Sequence, residues 1–202
     1  MTSVATSSVT RPAVGTDPLA LIDVDHVRFY VANAKQSAFF YASAFGFQVE
    51  QINDLTTGSR QSAQYLLTQG NIRFLLETPL TKDHPAADEI RRFGDGIKDI
   101  AFTVFDAEAA WKQAVRNGGT SAQEPTTRSD ANGSVTTAAV HTYGRATHTF
   151  VSRSGKYALP EVKQGAQFMP GFRPFGAFAL NEWNRQHPCG LKFVDHAVGN
   201  VE

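Results

Sequence analysis

The chain has 202 residues, 42% of them hydrophobic and 11% aromatic, enough for a core in one large or two small domains. Nineteen Lys and Arg balance nineteen Asp and Glu, so no net field draws the chain to nucleic acid or to an anionic membrane. The single cysteine, Cys189, excludes an internal disulfide framework, and no apolar run reaches the roughly 20 residues that cross a bilayer, so a soluble protein of the reducing cytoplasm is expected.

Residues 1–20 are expected to be a disordered tail. The first seventeen, MTSVATSSVTRPAVGTD, are rich in Ser and Thr and lack the apolar core of a secretory signal. One Arg and no amphipathic face also argue against a transit peptide.

The first element is a strand over Val24 to Val31, with Val27, Phe29 and Val31 on one face and His26, Arg28 and Tyr30 on the other. Asn33 then serves as an N-cap with Gln36 at the capping-box position. Ala34, Ala38, Tyr41 and Phe45 recur on one helical face before Gly46 stops the helix. Strands follow over Phe47 to Ile52, Gln61 to Thr68 and Ile72 to Thr78, the last two joined by the turn sequence Gln69-Gly70-Asn71. This is one β-α-β-β-β unit, spanning about 21–80. Residues 79 to 95 form a connecting helix around Asp88 to Phe93.

The pattern then returns over 96–154. A strand from Ile97 to Phe105 leads to the N-cap Asp106 and to a helix with Ala107, Ala110, Trp111, Ala114 and Val115 facing inward, ended by Asn117-Gly118-Gly119. Strands near Ser121 to Thr126, Ser134 to Thr142 and Thr147 to Ser152 complete it, with Asn132-Gly133 and Tyr143-Gly144-Arg145 as hairpin turns. The fold class is α+β, a pair of β-α-β-β-β modules forming one domain over 21–154.

From 155 to 190 the periodicity fails. Pro160, Pro170, Pro174 and Pro188 mark an irregular, Phe-rich linker expected to run along the surface. Phe193-Val194-Asp195-His196 then repeats the Val24-Asp25-His26 signature, so 191–202 reads as the first strand of a third unit, which stops there.

A paired β-α-β-β-β unit with a His on the inner face of its first strand resembles the vicinal oxygen chelate superfamily, which includes glyoxalases, extradiol dioxygenases and bleomycin-binding proteins. Within it the chain is more closely similar to the 4-hydroxyphenylpyruvate dioxygenase family. The resemblance covers about residues 20 to 202. It is carried by Asn33-Ala34-Lys35-Gln36, Gly94-Asp95-Gly96, Asp99-Ile100-Ala101-Phe102, Pro170-Gly171-Phe172 and above all Val194-Asp195-His196-Ala197-Val198-Gly199-Asn200-Val201.

That resemblance implies an Fe(II) enzyme of tyrosine catabolism, whose substrates are a small aromatic 2-oxo acid and O₂ and whose products are homogentisate and CO₂. Its iron is held by two His and one Glu with open positions for the substrates. The chain would be the amino-terminal half of a homo-oligomer, truncated before the catalytic domain and inactive alone. His196 would be the first metal ligand, and Val198, two residues along the same strand face, would line the substrate pocket. Catalytic residues are not expected in this half.

His26 holds in the first unit the place of His196 in the third. The register puts Asp99 where a second His would stand and Thr149 near the place of the Glu, which does not rebuild the iron set. His26 is therefore expected to be a hydrogen-bonded inner-face residue. His141 and His148, near strand ends, are read as surface or interface residues, and Cys189 as an inert thiol. Ser-His-Asp order, a P-loop and paired CxxC motifs are absent, so hydrolase and nucleotide-binding functions have no support. Two alternatives stand beside the dioxygenase: a 4-hydroxymandelate synthase, and a metal-free module that cups a small aromatic ligand.

Overall fold

A strand followed by a capped helix sets the pattern. In the computed structural model, which describes residues 17–176 and 178–199, β1 (Leu21–Tyr30) runs into α1 (Ala34–Phe45). Asn33, in extended backbone, accepts the Gln36 N–H on its side chain, and Gly46 ends the helix in the left-handed region at φ 73°. The buried stripe of α1 is Ala34, Ala38 and Ala42, while Phe45 is exposed. Small residues let the helix lie close on the sheet; Tyr41, half-buried, packs against the same cluster as expected, and only Phe45 of the expected stripe is turned to solvent.

The order then continues β2 (Gln48–Asn53), β3 (Ser62–Gln69), β4 (Ile72–Pro79), α2 (Pro85–Phe93), β5 (Gly96–Val104), α3 (Ala107–Arg116), β6 (Ser121–Asp130), β7 (Gly133–His141) and β8 (Thr147–Arg153). The connecting helix α2 starts at His84, whose ring nitrogen accepts the Ala86 N–H, followed by Pro85 in the first turn. Asp106 caps α3 as expected, accepting from the Ala109 N–H.

All strands join one mixed sheet in the order β6-β7-β8-β5-β1-β4-β3-β2-β9, where β9 is Arg173–Pro174. In each module the first strand pairs parallel with the last, β1 with β4 and β5 with β8. The two modules meet through their first strands, β1 antiparallel to β5.

Period-two alternation divides the core by face. Leu67 and Leu76 pack with α1, whereas their neighbours Leu66 and Leu75 pack on the other side with Tyr157, Phe168 and Phe172. Helix α3 covers a third cluster with Val104, Val140 and Phe150.

The linker packs along the domain as an ordered segment, as expected, but its rings go deeper than a surface path. After β8 it forms the short helices α4 (Leu159–Lys163) and α5 (Asn181–Gln186), and it buries Tyr157, Phe168 and Phe172 completely or nearly so. Its aromatic content is the reason, since these rings are the apolar surface available to close the sheet face that carries no long helix. Polar residues fix its path. Gln51 on β2 accepts the Phe168 N–H and donates to the Ala166 carbonyl, and Asn181 pairs with the Val49 backbone through both its amide atoms.

No strand forms over 188–199, where Phe193 to Val201 was expected to be one. A strand exists by pairing, and here the backbone of this segment meets the rest of the fold at few points. The Asn71 N–H donates to the Lys192 carbonyl at 2.6 Å and the Leu191 N–H donates to Gln69 Oε1. Gly70 allows this approach: at φ +56°, a Cβ there would stand 2.7 to 2.9 Å from Leu191 and Lys192 backbone atoms. Residues 1–16, which hold most of the expected tail, and 200–202 lie outside the described residues.

Candidate functional site

The linker-covered face of β1, β4, β5 and β8 is where the fold gathers its polar side chains. On β1 the register with β5 steps from Val24 opposite Phe102 to His26 opposite Ala101, which leaves Asp25 as an extra, bulged residue. A regular strand would send Asp25 and His26 to opposite faces; the bulge brings both inward. Each is buried.

Asp25 is the hub. Arg153, from the end of β8, grips it with two hydrogen bonds of 2.8 Å. Thr103 donates to the same carboxylate at 2.9 Å, and His26 Nδ1 lies 2.8 Å from Oδ1. Arg73 donates to the Asp25 and Val24 carbonyls. Burial alone would raise the Asp25 carboxyl, but the Arg153 charge and the bonds from His26 and Arg153 outweigh it and hold the group well below the usual carboxylate range.

His26 is pushed the other way. Burial lowers its basicity more than Asp25 restores it, so the ring is neutral, with its edge against Phe168 at 5.3 Å between centroids. Nδ1 serves Asp25, and Nε2 has no hydrogen-bond partner. Arg153 also donates to the Phe168 carbonyl and lies over its ring. One guanidinium thus ties β1, β8 and the linker together.

Asp99 and Thr149, the positions matched in register to missing metal ligands, bond to each other instead. Asp99 Oδ1 accepts from Thr149 at 2.9 Å and from Thr147 at 2.7 Å. Among the described residues no group of three His, Cys, Asp or Glu could hold a metal ion. Farther along the same face, Glu77 sits between Arg28 and His84. Its burial, which would raise the carboxyl, is overcome by the bond from His84 and the Arg28 charge, and its pKa falls to about 2.

The structure does not gather the two residues singled out for the reaction into a pocket. His196 has a side chain 76% exposed and Val198 is 85% exposed. The ring of His196 is nevertheless oriented: its Nδ1 lies 2.7 Å from Asp195 Oδ2. A neutral imidazole held this way presents Nε2 as a lone-pair donor, which suits a divalent metal as one ligand of a set. Just before it, Val194 packs against the α1 core cluster, so the segment is attached up to that point.

Of the other histidines, His141 is exposed and His148 is half-buried against Phe102. Cys189 is exposed beside Gly46. Sequence reasoning missed Arg153, Gln51 and Phe168. An Arg closing a strand of Thr and Val was the available signal for the first; the long separation in sequence hid the other two.

Residues 23–149 match the Glyoxalase/Bleomycin resistance protein/Dioxygenase superfamily. The chain belongs to that superfamily. Among curated proteins, this superfamily member is 42% identical over 178 residues to a 4-hydroxyphenylpyruvate dioxygenase of Dictyostelium discoideum, covering 87% of the chain and 46% of that relative. It is 39% identical to the protein of the same name from Caenorhabditis briggsae, over 94% of the chain and 45% of the relative. The chain therefore spans about half the length of the curated relatives it matches.

Solved structures agree on the fold. A mutant 4-hydroxymandelate synthase from Streptomyces coelicolor superposes with a TM-score of 0.65 at 24% identity, over 78% of this chain and 43% of that one. Methylmalonyl-CoA epimerase from Mycobacterium tuberculosis superposes at 0.55 with 22% identity, over 72% of this chain and 96% of its own. The α+β reading as paired β-α-β-β-β modules is thus established. Among the described residues no helix is long and apolar enough to cross a membrane.

Proposed function

We propose that this chain is the amino-terminal half of a cytoplasmic, Fe(II)-dependent 4-hydroxyphenylpyruvate dioxygenase, which converts 4-hydroxyphenylpyruvate and O₂ to homogentisate and CO₂. The similarity to relatives of that name along almost the whole chain carries the reading. His196 is the chain's metal ligand, and Val198 lines the substrate pocket.

In this reading the paired modules are a scaffold. The Arg153, Asp25 and Phe168 contacts lock the sheet face against the linker, and the linker delivers Val194 to the α1 cluster and His196 just beyond it. Fe(II), when bound by His196 together with ligands from the second half, would offer open positions to the 2-oxo acid and to O₂. His196 would offer Nε2 as its ligand atom, and Val198 would be an apolar part of the pocket wall. A homo-oligomer belongs to the same proposal, and the exposed Phe39, Phe40 and Phe45 of α1 are apolar surface for it to cover.

The test is complementation. The chain is co-expressed with the carboxy-terminal half of the Dictyostelium relative, and oxygen uptake and products are followed with Fe(II), ascorbate and 4-hydroxyphenylpyruvate. Homogentisate from the pair, none from either half, and its loss in His196→Ala are the expected results. 4-Hydroxymandelate as product would favour the synthase reading, which the fold match keeps in view. Turnover unaffected by His196→Ala would overturn the assignment of the ligand.

A further inference from the structure

The tripeptide Val-Asp-His occurs twice, and in both copies the same ring nitrogen faces the preceding carboxylate. His26 Nδ1 lies 2.8 Å from Asp25 and His196 Nδ1 lies 2.7 Å from Asp195. On the exposed copy alone the contact would mean little, because solvent competes for both groups. The buried copy is different. There the pair is fixed by packing, Asp25 occupies a bulge and is held by Arg153 and Thr103, and the result is an imidazole whose free Nε2 has no partner in the interior.

We infer that Asp195 is a positioning residue for His196, keeping the imidazole proton on Nδ1 and leaving the lone pair of Nε2 for the metal. This inference rests on the reading of His196 as an iron ligand. The physical argument is short. A neutral imidazole carries one N–H; a carboxylate only accepts; so a carboxylate beside Nδ1 selects the tautomer with its proton there. Adjacent residues of a regular strand point to opposite faces. The β1 bulge shows how this tripeptide keeps Asp and His on one face, and the same bulge is inferred for Asp195 once its strand is paired.

Long-range ¹H–¹⁵N spectra of the labelled chain at about pH 8, above the imidazole range, read the tautomer directly. His26 and His196 should both show a protonated Nδ1 and an acceptor Nε2. Asp195→Leu should shift His196 to a majority with the proton on Nε2 and leave His26 unchanged. Asp195→Asn, whose amide oxygen still accepts, should retain the wild-type tautomer. A wild-type His196 protonated mainly on Nε2, or an Asp195→Leu spectrum like wild type, overturns the inference. In the complemented enzyme, Asp195→Leu should weaken Fe(II) binding by about 10 to 100-fold. Unchanged affinity in a protein that loses iron on His196→Ala would defeat the positioning role while sparing the ligand. Iron retained in His196→Ala would defeat the ligand while leaving the tautomer result intact.

Discussion

Val24-Asp25-His26 and Val194-Asp195-His196 share three residues and one internal contact, yet Asp25 and His26 are buried in the sheet and Asp195 and His196 are exposed in irregular chain. The first copy has β4 on one side and β5 on the other. Its charges are matched by Arg153, and its ring is covered by Phe168. The second copy has no flanking strand among the described residues. Strand structure and burial are therefore properties that neighbours confer on this tripeptide, whereas the Asp-His contact travels with it.

The comparison can be broken most forcefully at Arg153, whose side chain is 1% exposed and whose partner Asp25 is 0% exposed. Arg153→Ala leaves a buried carboxylate without its counter-charge and should cost about 3 to 5 kcal/mol in urea unfolding. Adding Asp25→Asn should recover part of that loss, because the stranded charge is then gone. Additive losses in the double variant would show that the two side chains are not coupled.

Acid should weaken the fold through the sheet face that buries the first copy and Glu77. Glu77 falls from 4.5 to about 2 on folding, and the Asp25 carboxyl also falls. Groups with depressed folded values stabilise the protein above their unfolded values, and that contribution disappears as pH drops through the folded ones. Glu77 alone represents about 3 kcal/mol, to order of magnitude, lost between pH 4.5 and 2. His26, lowered from 6.5 by burial, starts the decline earlier, because the unfolded chain takes up its proton first. Stability should fall below about pH 6.5 and more steeply below 4.5. A flat profile from pH 7 to 4 would contradict the neutral, buried state of His26.

Much of this fold was legible in the residues. Asn33, Asp106 and the stops after α1 and α3 act locally, through hydrogen bonds to the adjoining turn, so these caps and stops stood where the sequence placed them. Alternation gave the faces of β1, with His26, Arg28 and Tyr30 together. What stayed hidden was held by distant partners. The burial of Phe168 depends on Gln51, separated by 117 positions, and the Asp25 clamp on Arg153, separated by 128. The strand expected over Phe193 to Val201 was read from its repeat of β1, but alternation records the capacity to pair and cannot supply a partner.

Replacing the covering ring is a gentler probe of the same contrast. Phe168→Leu keeps an apolar side chain of smaller volume but removes the edge contact with His26 and the face under Arg153, for about 1 to 3 kcal/mol. Hydrogen exchange should rise in the linker near Ala166 and leave α3, which packs on the other face, as before.

The smallest effect is expected where the two histidines are exchanged for alanine in parallel. His26→Ala empties a space bounded by Phe168 and leaves Asp25 short of one of its donors, so it should destabilise the chain by about 0.5 to 3 kcal/mol. His196→Ala removes a ring that is 76% exposed and whose hydrogen-bond partner among the described residues is an equally exposed carboxylate, so the change should stay within about 0.5 kcal/mol. The pair of measurements separates two reasons for keeping a histidine. A ring whose loss harms folding is retained by the core; a ring whose loss costs nothing in stability is free to serve chemistry. Equal losses from the two substitutions would mean that the segment carrying His196 is packed far more tightly than its exposure indicates, and the contrast between the two copies would collapse.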